Sequence, residues 1–161
     1  KNLLTVLKTL NEIPNQKLVV IGEGKAYKNK CLKFIKKNKI SDRVIFLTGI
    51  SLEEMAIIYQ LAEIMIYPSI FEGFGIPIIE AMYCKSPVLL SDCDTHKEIA
   101  KENAIYFEKQ NYESLMNILE QYLYDEDKLK KLNEKANLYV KSFNWENCAE
   151  KTLDLYKMLS G

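Results

Sequence analysis

The sequence has no excess of charge of one sign and no long apolar run, and each absence excludes a class of protein. Lys and Arg together number 22, as do Asp and Glu, so the formal net charge is zero. Without a basic field to attract polyanions, we expect no nucleic acid partner. Glu63, Pro68 and Glu72 interrupt the apolar stretches, which fall far short of the roughly 20 residues that span a bilayer. Membrane contact should therefore be at most peripheral.

Paired cysteines and histidine are also scarce. The 4 cysteines include no Cys-x-x-Cys pair, which is typical of reduced thiols in a cytoplasmic protein. The sequence contains 1 histidine, His96, and its spacing from Cys93 and Asp94 matches no common zinc site. Asp92 and Asp94 follow a predicted strand, where short acidic residues more often form turns and helix caps. We therefore expect no metal ion.

The 161 residues suit one domain in which strands and helices alternate. Strands are predicted over 17–22, 43–47, 64–69, 87–91 and 104–107, with helical periodicity between them. Ser51 and Glu54 have the spacing of a capping box and predict the start of one helix. Three amphipathic helical patterns fill the last third. The order predicts an α/β fold, a Rossmann-like three-layer α/β/α arrangement with a mainly parallel sheet of five to six strands, plus C-terminal helices.

The stretch Glu72-Gly73-Phe74-Gly75-Ile76-Pro77-Ile78-Ile79-Glu80 combines two carboxylates with a Gly-x-Gly bend and a proline suited to the first helical position. It follows the predicted strand 64–69, and open α/β sheets bind ligands at such strand ends. The glycines let the backbone approach a ligand or adopt a positive φ, and a helix opening at Ile76 presents unpaired amides to an anion. Carboxylates beside these amides suit a ligand with phosphate and hydroxyl groups, such as a nucleotide sugar.

Other interpretations stay open from the residues alone. The stretch could be an ordinary strand-to-helix loop, with Glu72 and Glu80 as solvated charges. Gly22-x-Gly24 followed by Lys25 could be a phosphate loop, although it lacks the third glycine of a dinucleotide site and the ending of a P-loop. The chain could equally be a stand-alone nucleotide-binding or interaction module of flavodoxin-like type without chemistry.

Taken in order, these segments resemble the C-terminal, donor-binding domain of a retaining group 1 glycosyltransferase of the GT-B fold. The resemblance covers almost the whole chain: Gly22-Glu23-Gly24, 42–49, 61–69, Pro87-Val88, Glu98-Ile99 and the closing Trp145 helix. At its centre, Glu72 to Glu80 matches the family's pattern of two glutamates separated by seven residues. The resemblance implies transfer of a sugar from a nucleotide sugar to an acceptor, such as a glycan or lipid-linked saccharide, with retention and without a cofactor.

The resemblance also implies roles for single residues. Glu72 matches the glutamate that contacts the transferred sugar and stabilises positive charge at its anomeric carbon, a catalytic role. Glu80 matches the glutamate that holds the ribose hydroxyls. Lys1 matches the lysine of a cationic pair that neutralises the diphosphate, and the arginine of that pair is not in these residues. The remaining implied contacts to the sugar, the diphosphate and the base come from Gly73, Phe74, Gly75, Ile76, Gly49, Ile50 and Gly22.

The resemblance finally implies a partner domain. We expect 1–161 to form a single nucleotide-sugar-binding domain, the C-terminal half of a longer two-domain enzyme whose N-terminal half binds the acceptor. These residues alone should not transfer sugar, because water would not be excluded and no acceptor would be oriented. The full-length protein is expected in the cytoplasm, with the inner face of the membrane as a further location. A relative of the same architecture, such as a sugar-nucleotide epimerase or a phosphorylase, stays open as an alternative.

Overall fold

A computed structural model describes residues 1–24 and 26–160, so Lys25 of the phosphate-loop interpretation lies outside the described residues. In chain order its main elements are α1 (Leu3–Glu12), β1 (Leu18–Ile21), α2 (Ala26–Lys37), β2 (Val44–Leu47), α3 (Leu52–Leu61), β3 (Met65–Tyr67), α4 (Ile76–Tyr83), β4 (Val88–Ser91), α5 (Asp94–Ala100), β5 (Ile105–Phe107), α6 (Tyr112–Tyr122), α7 (Glu126–Val140) and α8 (Trp145–Ser160). Short 3₁₀ turns over Ser41–Arg43 and Lys101–Asn103 precede β2 and β5.

Every strand pair among these elements is parallel. The predicted α/β fold with parallel strands and C-terminal helices is confirmed, and the five strands fall at the predicted places. They form a two-stranded ladder, β1–β2, and a three-stranded ladder, β3–β4–β5, instead of one continuous sheet. The reason is spatial, because a cavity of about 1180 Å³ lies between β1 and β3 and is lined by both strands.

Helices cover both faces of the three-stranded ladder. Alternate side chains of a strand point to opposite faces, and in β4 both faces are apolar. Val88 and Leu90 pack in one core cluster with α4 and α7, whereas Leu89 packs in another with α1 and α6. All three side chains are fully buried. β4 is therefore the centre of a three-layer arrangement.

Helix α1 bridges the two ladders. Val6 of α1, and Ile13 directly after its end, belong to the cluster on β3, β4 and β5, while Leu7 and Leu10 belong to a third cluster with α2 and the apolar side chains of β1 and β2. At its start, the Leu4 amide donates to the Tyr27 hydroxyl of α2 at 3.0 Å. The helix therefore begins beside the carboxyl end of β1, which brings Lys1 to the edge where ligand sites form.

The final helix, α8, packs little against the rest of the chain. Its large apolar side chains are exposed, among them Trp145, Met158 and Leu159. No helix of the described residues has both the length and the low polarity needed to cross a bilayer.

Candidate functional site

The loop between β3 and α4 holds the centre of the predicted site. Gly75 is the residue before the helix and has φ 99°, and a Cβ there would lie 3.0 Å from Cδ1 of Ile78. The prediction that α4 opens at Ile76 is confirmed, which makes Pro77 its second residue instead of its first. Within the described residues no side chain caps this helix, and its first turn carries no acidic residue. Its amino end is therefore left positive and open to an anion.

Glu72 lies within a small charged cluster. One of its carboxylate oxygens accepts a hydrogen bond from the Lys1 ammonium, which also donates to the Tyr67 hydroxyl at 2.9 Å. The same ammonium lies 5.0 Å from the centroid of the Tyr67 ring. The Glu72 side chain is 15% exposed, while that of Lys1 is 68% exposed. A half-buried carboxylate is thus paired with a cation that faces solvent.

The cluster fixes the ionisation of both members. Burial alone would raise the pKa of Glu72, but the hydrogen bonds to the carboxylate, with that from Lys1 the largest, and the positive charge of Lys1 together outweigh it, so the pKa lies below its ordinary value. Burial alone would lower the pKa of Lys1, yet the bonds to Glu72 and Tyr67 raise it. At neutral pH the site therefore presents a full negative charge beside a full positive charge.

Hydrogen bonds from β4 and α5 hold the loop between β3 and α4 on its inner side. Thr95, in α5, donates from its hydroxyl to the Glu72 carbonyl at 2.9 Å. The Ser91 hydroxyl donates to the Ser69 carbonyl, and Nδ1 of His96 lies 2.9 Å from the Ser91 carbonyl. His96 is fully buried, with its ring centroid 5.3 Å from that of Tyr67. Burial lowers the pKa of His96, so the ring behind the site is neutral.

Glu80 occupies a second, smaller hollow. The Tyr59 hydroxyl of α3 donates to its Oε2 at 3.2 Å. A cavity of about 260 Å³ there is lined by Glu80, Tyr59 and apolar residues of α3 and α4. Burial raises the pKa of Tyr59 well above its ordinary value, so the phenol keeps its proton and remains a donor.

The remaining predicted residues follow strands β1 and β2. Gly22 has φ 126° and donates its amide to the Leu47 carbonyl at 3.1 Å. Gly49 has φ 67°, and a Cβ on either glycine would meet nothing within 4 Å. Ile50 is half-buried just before α3. Residues 18–21 of β1 pair in parallel with residues 44–47 of β2, so the glycine turns that follow the two strands lie at the same end of the ladder.

The structure thus unites some predicted residues and separates others. Lys1 and Glu72 are in contact, and Lys1, Gly22 and Tyr67 line the large cavity. Glu80 lines the smaller cavity, which Glu72 does not. The functional roles assigned to these residues stay predictions.

Sequence reasoning missed the hydroxyl groups that hold the two glutamates, which belong to Tyr67, Thr95 and Tyr59. The signal for Tyr67 was its place at the end of a predicted strand. For Tyr59 and Thr95, which act from neighbouring helices, no comparable signal exists.

Two of the residues weighed as metal ligands, Asp92 and Asp94, have the structural places expected of turn and cap residues. Asp92 accepts the Lys109 amide at 2.9 Å, as expected of a turn-forming aspartate, and Asp94 opens α5. Across 1–24 and 26–160, no three His, Cys, Asp or Glu side chains are grouped to hold a metal ion. The 4 cysteines are free thiols. Independence from metals and cofactors stays a prediction.

Parallel strands whose carboxyl ends carry glycine turns, together with helices on both faces, define a Rossmann-like α/β domain. The sequence profile of the family described as "Glycosyl transferases group 1" matches residues 1–139. The chain therefore belongs to the group 1 glycosyltransferases.

Individual relatives agree with this family. The chain is 31% identical over 107 residues to O-antigen chain mannosyltransferase B of Escherichia coli, an overlap of 66% of this chain and 28% of that protein. Sucrose-phosphate synthase from Thermosynechococcus elongatus is similar in structure, with a TM-score of 0.85 and 27% identity over 96% of this chain and 41% of that one. Anabaena HepE, solved with UDP and glucose, shares the fold at a TM-score of 0.84 and 19% identity, over 100% and 45% of the two chains. The chain spans less than half the length of each.

Proposed function

We propose that this chain is the donor-binding half of a longer glycosyltransferase that moves a hexose from a nucleotide sugar to an acceptor with retention of configuration. The acceptor is a glycan, a lipid-linked saccharide or a similar hydroxyl compound, held by an N-terminal domain of the same polypeptide. Membership of the group 1 glycosyltransferases supports this function over a stand-alone module without chemistry.

The observation that carries the proposal is the contact of Lys1, Glu72 and Tyr67 in front of helix α4. A diphosphate is best held where a cation and the positive end of a helix converge. Lys1 supplies the cation, and the backbone of Gly75 and Ile76 lies at the helix start. The donor's pyrophosphate would draw the Lys1 ammonium toward itself, which leaves the Glu72 carboxylate free to face the sugar.

The charge of Glu72 then serves the chemistry. As the bond to the diphosphate breaks, positive charge develops at the anomeric carbon, and a fixed carboxylate stabilises that transition state. The lowered pKa of Glu72 keeps it ionised at neutral pH. Gly73 and Phe74 offer backbone amides to the sugar hydroxyls from the same loop.

In this proposal, Glu80 binds the ribose hydroxyls of the donor nucleotide. A carboxylate that accepts a bond from Tyr59 at 3.2 Å is held in place, with further lone pairs for two hydroxyl groups. Gly49 and Ile50 line the base, and Gly22 borders the pocket. The reaction needs no metal or other cofactor, because cationic groups and amides neutralise the leaving diphosphate. We place the protein in the cytoplasm, at most peripherally on the inner face of the membrane and without nucleic acid.

The test is a panel of UDP- and GDP-linked hexoses given to the full-length polypeptide with candidate glycan and lipid-linked acceptors. We expect one donor to be consumed only with acceptor, and NMR of the product to show the anomeric configuration of the donor. HepE, solved with UDP and glucose, and the mannosyltransferase relative make UDP-glucose and nucleotide-linked mannose the first donors to try. Conversion of a donor to its epimer without acceptor, or a product of inverted configuration, would contradict the proposal.

A further inference from the structure

We propose that α2 binds the anionic headgroups of a phospholipid membrane through four lysines on its outward side. We name this surface the lysine face; it consists of Lys30, Lys33, Lys36 and Lys37. The inference goes beyond the proposed function and does not depend on donor binding. The partner is a bilayer whose surface carries a net negative charge, as the cytoplasmic leaflet of a cell membrane does.

Positive charge is concentrated in one stretch of a chain that is neutral as a whole. Residues 26–40 contain six lysines and no aspartate or glutamate, so the other residues together carry an equal net negative charge. Helix α7 provides the contrast, because its lysines are interspersed with Glu126, Asp127 and Glu134. The net charge of zero therefore conceals a local basic surface of the size that binds anionic lipid.

The packing of α2 turns the lysine face toward solvent. Cys31 and Ile35, on the inner side of the helix, are buried in the core cluster that α2 shares with α1. Neighbouring members of the lysine face are three or four positions apart in sequence where they lie one turn apart, so they share the opposite side of the helix. All four side chains are exposed. The core thus holds the four cations in one array on a rigid element.

No carboxylate forms an ion pair with the lysine face within residues 1–24 and 26–160. The ion pairs there use lysines of other elements. Lys36 and Lys37 lie in the last turn of α2, where a cation also suits the negative end of the helix. Lys30 and Lys33 lie before that turn, so the helix end accounts for only half of the face. The remaining charge is available to a partner.

The chemistry of the lysine face favours a lipid surface over a nucleic acid. Each of its cations is a lysine, a compact point charge, whereas arginine is the residue that recognises single phosphates and bases with two parallel bonds. The arginine of this chain, Arg43, instead donates to the Ile13 carbonyl at 2.8 Å. A charged bilayer needs only an array of cations within a Debye length of its surface, about 8 Å at physiological salt.

The packing also determines how α2 would bind. An interfacial helix usually inserts its apolar side into the bilayer, but that side of α2 is occupied by the core. Leu32, which is 42% exposed, remains at the edge of the lysine face. Binding is therefore mainly electrostatic, reversible and sensitive to salt. Each lysine near an anionic surface strengthens binding by about fivefold, so the four together contribute roughly several hundred-fold.

Helix α2 begins beside the predicted donor edge. It follows the Gly22 turn at the carboxyl end of β1, and its Tyr27 hydroxyl accepts a hydrogen bond from the Leu4 amide at 3.0 Å. A membrane against the lysine face would therefore lie next to that edge. This arrangement would present a lipid-linked acceptor near the site, a consequence that, unlike the inference itself, rests on the proposed function.

Co-sedimentation of the full-length polypeptide with lipid vesicles tests the inference. The vesicles contain about three parts phosphatidylcholine to one part phosphatidylglycerol, and pure phosphatidylcholine vesicles are the uncharged reference. The natural protein should bind the charged vesicles, more weakly as salt rises, and leave the uncharged ones free. The test variant should lose at least about 100-fold in its partition coefficient. It carries Lys30→Gln, Lys33→Gln, Lys36→Gln and Lys37→Gln.

The matched control makes the same change at four exposed lysines of α7. It carries Lys128→Gln, Lys130→Gln, Lys131→Gln and Lys135→Gln. The control alters the net charge as much as the test variant does, but it should change the partition coefficient by no more than about fivefold. Because no nucleotide or sugar donor is present, failure of the proposed function would leave these results unchanged.

The other outcomes overturn the inference. Equal losses in the two variants would assign the binding to net charge, and full binding by the test variant would assign it to another surface. Binding of a DNA or RNA duplex at physiological salt, without vesicle binding, would identify a nucleic acid as the partner. If the test variant does not fold, the double variant Lys33→Gln with Lys37→Gln decides: a loss of about 25-fold supports the inference, and unchanged binding overturns it.

Discussion

At the scale of single residues, the pairing of Glu72 with Lys1 links stability to function. The Lys1 side chain is 68% exposed and the carboxylate beside it is 15% exposed. Burial disfavours the charged form of both groups, and their mutual hydrogen bond helps to offset that effect. The pKa of Glu72 is lowered, so any stability from its ionised form is present above its ordinary value of 4.5 and is lost as pH falls below that value. In the proposed function, a ligand diphosphate replaces the carboxylate as the partner of Lys1, and Glu72 is already ionised when the sugar is bound.

Glu72→Gln tests the catalytic role. The amide keeps the size of the side chain but removes the charge that stabilises the transition state, so kcat of the full-length enzyme should fall by roughly 100-fold or more, with a smaller change in KM. Steady-state kinetics with the preferred donor measure it. Glu120→Gln, an exposed glutamate of α6, is the matched control and should leave kcat unchanged. Equal kcat values for both variants would exclude Glu72 from the chemistry.

His96 makes the fold sensitive to mild acid. Burial lowers its pKa from the ordinary value of 6.5, so just below that pH the unfolded chain binds a proton that the folded chain does not. The free energy of unfolding should therefore decrease as pH falls from about 6.5 toward 5. Urea unfolding at several pH values measures this slope, which His96→Asn should flatten because the chain has no other histidine. An unchanged slope in the variant would assign the effect to other groups.

At the scale of elements, the start of α4 depends on one glycine of the two in the loop. Gly75 adopts φ 99° against Ile78, whereas a Cβ at Gly73 would meet nothing within 4 Å. Gly75→Ala should lower the free energy of unfolding by roughly 1–3 kcal/mol, and Gly73→Ala should change it little. Denaturant unfolding of both variants measures this difference. Similar losses for the two would show that the left-handed turn does not anchor the helix.

The helices and strands also differ from the site in how well they could be predicted from the sequence. Local chemistry specified the start of α3, where Ser51 and Glu54 form the predicted capping box, and the start of α4 after Gly75. The strands were found because apolar runs bounded by turns depend only on neighbours in sequence. The contact of Lys1 with Glu72 joins residues 71 apart, which no periodicity encodes. Only the resemblance placed both of them in one site.

At the scale of the whole molecule, the division of the sheet was the feature that the sequence pattern did not predict. Strand patterns indicate what can pair but not which edges meet, and the prediction of a mainly parallel sheet of five to six strands carried no strand order. The apolar cavity between them shows that the two edges are kept apart. The predicted site lies around this division, with Lys1 and Tyr67 on its rim.

The central claim is that the edge carrying Glu72 and Glu80 binds a nucleoside diphosphate. Its most direct measurement is the melting temperature of the full-length polypeptide with UDP or GDP, alone and after Glu80→Ala or the control Glu120→Ala. At a concentration 100 times Kd, a bound nucleotide should stabilise the fold by about 2.7 kcal/mol. We predict that one nucleotide raises the melting temperature of the natural protein and of Glu120→Ala, and that Glu80→Ala loses most of this shift. No shift with either nucleotide, or an equal shift in all three proteins, would contradict the claim.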